Sequence, residues 1–145
     1  MNILGSLIQA TFLVLNSRRT CSMSSDRLFS LTNELLQYTN RISIKFEEVK
    51  ESKVKGDFYS EVKPFADDVK MVNDEWQNLA KAWIRENRPK HLHEKQIDST
   101  YEQIEMLSVQ AFFPDTSRTR FINYWQSVRF ILNTLIDHLE KNKNS

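Results

Sequence analysis

Hydrophobic residues recur at intervals of three or four positions along four separate stretches of this chain. Residues three and four apart share one face of an α-helix, so each stretch predicts an amphipathic helix with one apolar stripe. The second stripe alternates steps of four and three, which is typical of a helix that packs lengthwise against its neighbours. The stripes are Leu28, Leu31, Leu35, Tyr38, Ile42, Phe46 and Val49; Phe58, Val62, Phe65, Val69, Val72, Trp76, Leu79 and Trp83; a weaker one of Ile97, Tyr101, Ile104, Leu107 or Ser108, and Ala111 or Phe112; and Phe121, Trp125, Val128, Leu132, Leu135 and Leu139.

Polar residues and helix breakers predict where the first two helices begin and end. Residues 24–26 (Ser-Ser-Asp) precede the first stripe and favour a helix N-cap, whereas the lysines and the glycine of residues 53–56 favour a helix end. Pro64 lies inside the second stripe and leaves two alternatives. Either residues 57–63 form a short separate turn before the main helix, or the helix bends at Pro64. The dipeptide at residues 88–89 (Arg-Pro) ends this helix, because a residue before proline disfavours the helical region.

The third and fourth helices have their own signals. His93 and Gln96 are spaced as an unconventional capping pair at the start of the third helix. Residues 113–114 (Phe-Pro) end that helix, and residues 115–117 (Asp-Thr-Ser) are good N-cap residues for the fourth.

Four amphipathic helices joined by short loops bury their stripes most economically as an all-α, up-down-up-down four-helix bundle. In this bundle the loops at residues 53–57 and 113–117 lie at one end. The loop at residues 88–93 lies at the other end, beside the end of the fourth helix. The aromatic residues on the stripes are predicted to be core residues: Phe58, Phe65, Trp76, Trp83, Phe112, Phe121 and Trp125.

The N-terminal segment stands apart from the four stripes. Residues 3–15 are apolar but too short to span a bilayer, which takes about 20 residues. A signal peptide fits poorly, because the basic pair Arg18 and Arg19 follows the apolar run instead of preceding it. We interpret Met23 as the natural start; the alternatives are a membrane anchor or export signal, and a helix packed on the domain. The predicted division is an N-terminal extension at residues 1–22, the bundle at residues 23–141 and a polar tail at residues 142–145.

Composition narrows the class of function. The 145 residues include only 2 Gly and 3 Pro, which argues against turn-rich β folds and Gly-rich nucleotide loops. The net charge is +1, whereas a general nucleic-acid binder needs a basic excess. The single cysteine, Cys21, cannot form an internal disulfide, which fits a reducing compartment, and we expect a cytoplasmic protein.

Three segments carry a family resemblance. They are residues 57–67 (with Asp57-Phe58-Tyr59 and Val62-Lys63-Pro64-Phe65), residues 88–93 (Arg-Pro-Lys-His-Leu-His) and residues 108–112 (Ser-Val-Gln-Ala-Phe). Together with Trp76 and Trp83, they resemble the YppE-like family of small bacterial proteins over roughly residues 24–141. The resemblance implies a four-helix bundle in a bacterial cytoplasm and carries no catalytic residues across, because the family has no established activity. It also implies that His91 stands where the family has tyrosine, which weakens a metal role for this residue.

Two groups of polar residues are candidates for ligand binding. His91, His93 and His138 are expected at one end of the bundle, where three imidazoles would suit a metal ion. The alternative is that they are surface residues, since the chain has no Glu-x-x-His pair of the kind that marks di-iron bundles. Arg118 and Arg120 lie at the start of the fourth helix, where the helix dipole favours an anion such as phosphate or a carboxylate. The alternative is that Asp115 or Ser117 caps the helix while the arginines pair with neighbouring acids.

A partner surface is the remaining candidate. Tyr124 and Phe130, with Phe113, lie off the main stripes and widen the apolar face near the fourth helix; Arg88 and Lys90 form a basic loop. No nucleophile motif, phosphate loop or cofactor site is found. We therefore predict a non-enzymatic protein-interaction or regulatory module without a cofactor, which exists as a monomer or weak homodimer and binds a protein partner. Binding to nucleic acid is not expected, nor binding of residues 23–145 to a membrane. The alternative is a bundle that binds a small ligand, an anion or a metal.

Overall fold

Four long helices make up almost all of the structure, a computed structural model that describes the backbone of residues 17–143 and the side chains of residues 24–142. The helices are α1 (Ser17–Ser52), α2 (Lys63–Asn87), α3 (Glu94–Gln110) and α4 (Arg118–Lys143), and a π-helical turn (Phe58–Val62) precedes α2. Within this part of the chain there is no β-strand. The predicted all-α class is confirmed.

The helices form the predicted up-down-up-down bundle. Helix α1 packs against α2 and α4, and α3 packs against the same two helices, so that α1 and α3 are diagonal neighbours. The Gly56 N–H donates a 3.0 Å hydrogen bond to the Phe112 carbonyl, which joins the α1–α2 and α3–α4 connections at what we call the loop end. The Asn142 side chain donates to that of Asn87 over 3.3 Å, which places the end of α4 beside the α2–α3 connection at the far end.

The main α-helix begins near Pro64, as the first of the two predicted alternatives has it, but the turn before it is π-helical and joined to the helix. The side chain of Asp57 accepts hydrogen bonds from the backbone N–H of Ser60 at 2.8 Å and from its hydroxyl at 2.7 Å, and so caps the π turn. Helix α2 then begins at Lys63, with Pro64 in its first turn, where proline's missing N–H costs no helical hydrogen bond. The π turn and α2 are continuous, because Val62 and Lys63 both have α-helical backbone angles.

The apolar stripes converge on one core. Its largest fully buried side chains include Trp76, Phe46 and Phe121, and the rings of Phe46 and Phe121 stack with centroids 3.9 Å apart. The predicted core aromatics Phe65 and Trp125 are partly buried at its edge. Phe58 is a correction, because it is 50% exposed and lies against Tyr59 on the surface. A π turn winds more residues per turn than an α-helix, so the stripe of α2 does not extend back to Phe58.

The predicted start of α1 at residues 24–26 is wrong, because the helix begins at Ser17. Serine and aspartate form a cap only where the preceding residues leave the helix, and residues 17–23 contain neither glycine nor proline. The interpretations of the apolar residues 3–15 lie outside the described residues. The division into residues 1–22, 23–141 and 142–145 stays a prediction.

The other helix starts agree with the sequence signals. The His93 N–H donates to the side-chain oxygen of Gln96 at 2.7 Å, as the capping pair predicts. The Ser117 hydroxyl oxygen accepts from the Arg120 N–H at 3.4 Å at the start of α4. None of the helices in the described residues has the length and apolarity that crossing a membrane would require.

Candidate functional site

Polar side chains connect α1 to α2. The indole N–H of Trp76 donates to the Thr32 hydroxyl oxygen at 3.0 Å in the core. Nearer the surface the Arg27 guanidinium makes two 2.7 Å hydrogen bonds to the Glu75 carboxylate, and this pairing lowers the pKa of Glu75. The line of contact between these two helices, which we call a seam, is thus closed by directional bonds as well as by packing.

The α2/α3 seam carries the densest polar network. Asp98 accepts hydrogen bonds from Lys81 at 3.2 Å and from Gln77 at 2.9 Å, and these two donors lower the pKa of Asp98. The Asn73 amide donates to the Tyr101 carbonyl and to the Glu105 carboxylate, both at 3.0 Å. This network fixes the pairing of α2 with α3.

Three members of this seam, Lys70, Asp74 and Tyr101, have the residue types of an acid–base site. The Tyr101 hydroxyl donates to Asp74 at 2.5 Å, and the Lys70 ammonium bonds both residues at 3.1 Å. Tyr101 lowers the pKa of Asp74, Asp74 raises the pKa of Tyr101, and the hydrogen bonds to both raise the pKa of Lys70. Every shift moves the group away from neutrality, whereas a general acid or base needs a pKa near the working pH. The cluster is therefore a structural link.

The α1/α4 seam is also closed. Arg118 makes two hydrogen bonds to Glu47, at 2.5 and 3.2 Å. The Trp125 indole donates to the Thr39 carbonyl at 2.8 Å, and Arg129 donates to the Thr39 hydroxyl, also at 2.8 Å. The alternative interpretation of Arg118, pairing with a neighbouring acid, therefore holds.

The α3/α4 seam differs from the other three. Within the described side chains, no hydrogen bond or ion pair joins residues 94–110 to residues 118–141. The side-chain oxygens of Gln103 and Gln110 are buried along this seam without a hydrogen-bond partner, whereas the α2/α3 seam has one such atom, the Asn73 oxygen, beside an amide nitrogen that makes two hydrogen bonds. A buried polar atom without a partner costs about 1–3 kcal/mol, so two on one seam are unusual.

Two open clefts follow this seam, and a third lies at the far end between the α2–α3 connection and α4. The loop cleft lies at the loop end, between Gln110, Phe113, Asp115 and Arg120, with a volume of about 520 Å³. The middle cleft, of about 330 Å³, lies between Lys95 and Gln103 of α3 and Ser127 and Phe130 of α4. The end cleft, of about 480 Å³, lies at the far end and is lined by Lys90, His91, His138 and Lys141, with Asp137 and Trp83. We call the outer surface that contains the loop and middle clefts the α3/α4 face.

The predicted partner residues are divided between different surfaces. Phe130 is 67% exposed at the middle cleft, whereas Tyr124 is partly buried against the core. Lys90 lines the end cleft, and Arg88 lies on the α2/α3 side of the far end. The sequence pattern placed Phe130 off the stripe and so anticipated its exposure, but the four residues do not form one patch.

The three histidines are not brought together. His91 and His138 line the end cleft, whereas His93 lies in a neighbouring cleft with Arg88, because its backbone is fixed at the start of α3 by Gln96. In residues 24–142 no group of three or more His, Cys, Asp or Glu side chains is placed to hold a metal ion. The three-histidine metal site therefore does not form in this structure.

The two arginines of the predicted anion site point to opposite sides of α4. Arg118 contacts Glu47 on α1, and Arg120 lines the loop cleft on the α3 side. Arg120 forms no ion pair with the described side chains. A joint anion site at Arg118 and Arg120 is therefore not assembled here.

Comparison with known proteins decides the family. The family model of a bacterial domain of unknown function, DUF1798, matches residues 32–139, which is most of the chain. The chain belongs to the DUF1798 family. This agrees with the YppE-like resemblance, since the uncharacterized protein YppE of Bacillus subtilis is 24% identical over 119 residues, covering 82% of this chain and 97% of the relative.

Solved structures of similar proteins share the fold. A protein of unknown function from Listeria innocua superposes with a TM-score of 0.81 at 27% identity, covering 85% of this chain and 98% of the other. A DUF1798 protein from Staphylococcus aureus superposes with a TM-score of 0.72 at 28% identity, covering 77% and 95%. The four-helix architecture is therefore common to these proteins, and the DUF1798 family is one of unknown function.

Proposed function

We propose that this protein is a non-enzymatic interaction or regulatory module that binds another protein chain through its α3/α4 face. The observation that carries the proposal is the contrast between the seams. Three seams are closed by side-chain hydrogen bonds, whereas the α3/α4 seam has none in the described residues and keeps the Gln103 and Gln110 oxygens without donors. Both glutamine side chains are partly exposed, so their amides can turn outward to a partner whose donors recover the free energy that the free chain loses.

Phe130 supports the same surface. Aromatic side chains are enriched at protein–protein interfaces, and a few of them contribute most of the binding free energy. At 67% exposure, beside the Gln103 amide, Phe130 provides an apolar anchor next to a polar group that lacks a partner.

The non-enzymatic part of the proposal rests on the chemistry of the other polar clusters. Lys70, Asp74 and Tyr101 are mutually bonded, with pKa values displaced away from neutrality. The proposal also places the protein in the cytoplasm, and its support is the single cysteine, Cys21.

The test is affinity capture by the tagged full-length protein from the bacterium that encodes it, followed by mass spectrometry. Phe130→Glu places a charge on the α3/α4 face, and Met71→Glu is the matched control, because Met71 is 75% exposed on α2. We expect a protein that is retained by the wild type and by Met71→Glu but lost with Phe130→Glu. If the wild type retains nothing, or if Phe130→Glu retains the same proteins, the proposal is wrong.

A second candidate function is favoured by the end cleft. Lys90, His91, His138 and Lys141 line it together with one acid, Asp137, so the cleft suits a small anion such as a phosphate or carboxylate. The test is the thermal midpoint of the full chain with added inorganic phosphate and with added nucleotide. Stabilisation that is lost in Lys90→Gln supports the candidate, and an unchanged midpoint removes it.

A further inference from the structure

We infer that the partner of the α3/α4 face is a second copy of this chain, related by a two-fold axis beside Met106. The loop cleft of each copy then packs on the middle cleft of the other. The inference rests on the proposed function, because it names the occupant of the same face. It draws on three independent features of that face: the amides, the charges and the apolar side chains.

The amide spacing fits an antiparallel pairing of two α3 helices. Gln103 and Gln110 are seven residues apart, which is two helical turns, or about 10.5 Å along α3. Met106 lies between them. A two-fold axis at Met106 therefore places Gln103 of each copy opposite Gln110 of the other copy. A glutamine amide carries both an acceptor oxygen and an N–H₂ donor. Both side chains are partly exposed although their oxygens are buried, so on association each terminal amide turns outward and each pair supplies the donors that the two oxygens lack.

The charges are complementary under the same symmetry. Four charged residues on or near this face form no ion pair with the side chains of residues 24–142. They are Lys95, Glu102, Asp115 and Arg120. Lys95 lies in the middle cleft and Asp115 in the loop cleft, so packing one cleft on the other brings these opposite charges together. Glu102 is exposed one residue before Gln103, so pairing Gln103 with Gln110 of the second copy brings Glu102 to the height of that copy's Arg120, which lines the loop cleft together with Gln110.

The apolar side chains are paired as well. Phe130 of the middle cleft meets Phe113 of the loop cleft, again twice. The two-fold operation thus uses one patch on each copy, as a closed isologous dimer requires.

An extended peptide fits this face less well. In a β-strand, side chains on one side recur at about 6.7 Å or 13 Å, and neither spacing matches the roughly 10.5 Å between the two amides. A helix matches it, and α3 of a second copy brings the required donors, acids and aromatic ring in the same register.

The experiment is disulfide cross-linking between two full-length variants, Gln103→Cys and Gln110→Cys, each in a Cys21→Ser background. Under mild oxidation we expect a covalent dimer when the two are mixed and little in either variant alone, since a disulfide needs its Cβ atoms about 3.5–4.5 Å apart. Cross-linking of either variant with itself as fast as the mixture, or no cross-linking in the mixture, overturns the inference.

Sedimentation of chains without added cysteines keeps the inference testable if the cysteine variants fold poorly. We expect the wild type and Met71→Glu to dimerise with rising concentration, and Phe130→Glu to associate at least about tenfold more weakly. A wild type that stays monomeric overturns the second-copy inference. If the wild type is monomeric but affinity capture retains a different protein that Phe130→Glu loses, the proposed function stands and only the second-copy inference fails. If affinity capture retains nothing, the proposed function and the second-copy inference both fail.

Discussion

The indole nitrogen of Trp76 donates a 3.0 Å hydrogen bond to the hydroxyl oxygen of Thr32, and both residues are fully buried between α2 and α1. The same hydroxyl donates to the Leu28 carbonyl at 2.7 Å. Thr32 therefore acts as donor and acceptor at once, and it gives the largest side chain of the core its only polar partner among the described residues. The α1/α2 seam depends on this pair, and its strength can be measured.

Thr32→Val keeps the shape of the side chain but removes the acceptor, so the Trp76 N–H stays buried without a partner. We expect the free energy of unfolding in urea to fall by about 1–3 kcal/mol. Thr134→Val is the matched control, because the Thr134 hydroxyl only donates to the Phe130 carbonyl, at 2.7 Å near the surface. The control should stay within about 0.5 kcal/mol of the wild type. Equal losses in the two variants contradict a special role for the Trp76–Thr32 bond.

The lowered pKa of Asp74 predicts that the free energy of unfolding depends on pH. Hydrogen bonds from Tyr101 first, and then from Lys70, hold the pKa of Asp74 below its ordinary value. A carboxylate whose pKa is lower in the folded state than in the unfolded state stabilises the fold. This contribution is complete above the unfolded-state pKa of about 4, and it is lost as the pH falls through the folded-state pKa.

Tyr101→Phe removes the main cause of this shift, so the pKa of Asp74 should return towards its ordinary value. We expect a smaller loss of unfolding free energy than in the wild type when the pH is lowered from about 5 to about 2. Urea unfolding at a series of pH values measures this slope. Tyr59→Phe is the control, because Tyr59 is 79% exposed and its hydroxyl makes no hydrogen bond to the described residues. An unchanged slope in Tyr101→Phe argues against the assigned cause.

Gly56 is required by close packing at the loop end. A Cβ atom there would lie 2.7 Å from Cδ1 and 3.1 Å from Cβ of Phe112, and the Gly56 N–H is held at 3.0 Å from the Phe112 carbonyl. Gly56→Ala should therefore lower the free energy of unfolding by about 1–3 kcal/mol, as overpacking does. The double variant Gly56→Ala with Phe112→Leu should lose less than the sum of its two single changes. Additive losses would show that the contact is not the cause.

Lys53 ends α1 in the left-handed region, with φ of 60°, while its N–H still bonds the Val49 carbonyl at 2.8 Å. Glycine adopts this conformation without a Cβ clash, so Lys53→Gly should raise the free energy of unfolding by about 1 kcal/mol. Lys53→Ala removes the same side chain but keeps the Cβ atom, and it should stay near the wild type. If both variants behave alike in urea unfolding, the backbone conformation is not what matters.

The period of the apolar residues was sufficient to predict the helices and their topology. Residues such as Trp76, Phe46 and Leu132 are buried because their spacing puts them on one face, and short loops leave sequential helices antiparallel. The prediction that Phe58 is a core residue was wrong, because the pattern does not show that a π turn precedes Pro64. The start of α1 was predicted wrongly, because Ser24 and Asp26 are compatible either with a helix cap or with the interior of a helix.

The candidate site was much harder to predict, since it depends on bonds between distant residues. Gln96, Gln103 and Gln110 share one residue type and a seven-residue spacing. Gln96 caps α3, while the oxygens of the other two are buried without donors. The bond of Gln96 is local and its spacing from His93 predicts it, whereas the lack of donors at Gln103 and Gln110 depends on what packs beside them, which no local pattern encodes. Only the exposure of Phe130 was visible in the sequence, because it lies off the apolar stripe.

The most direct measurement of the central claim compares stability with association when both unpartnered amides are removed. At a dilution where the chain is monomeric, the double variant Gln103→Leu and Gln110→Leu should gain about 1–3 kcal/mol in free energy of unfolding, and it should associate through the α3/α4 face at least about tenfold more weakly. Gln77→Leu, which removes an amide bonded to Asp98 at 2.9 Å, should instead lose stability. A double variant that is less stable than the wild type and associates equally well would contradict the account.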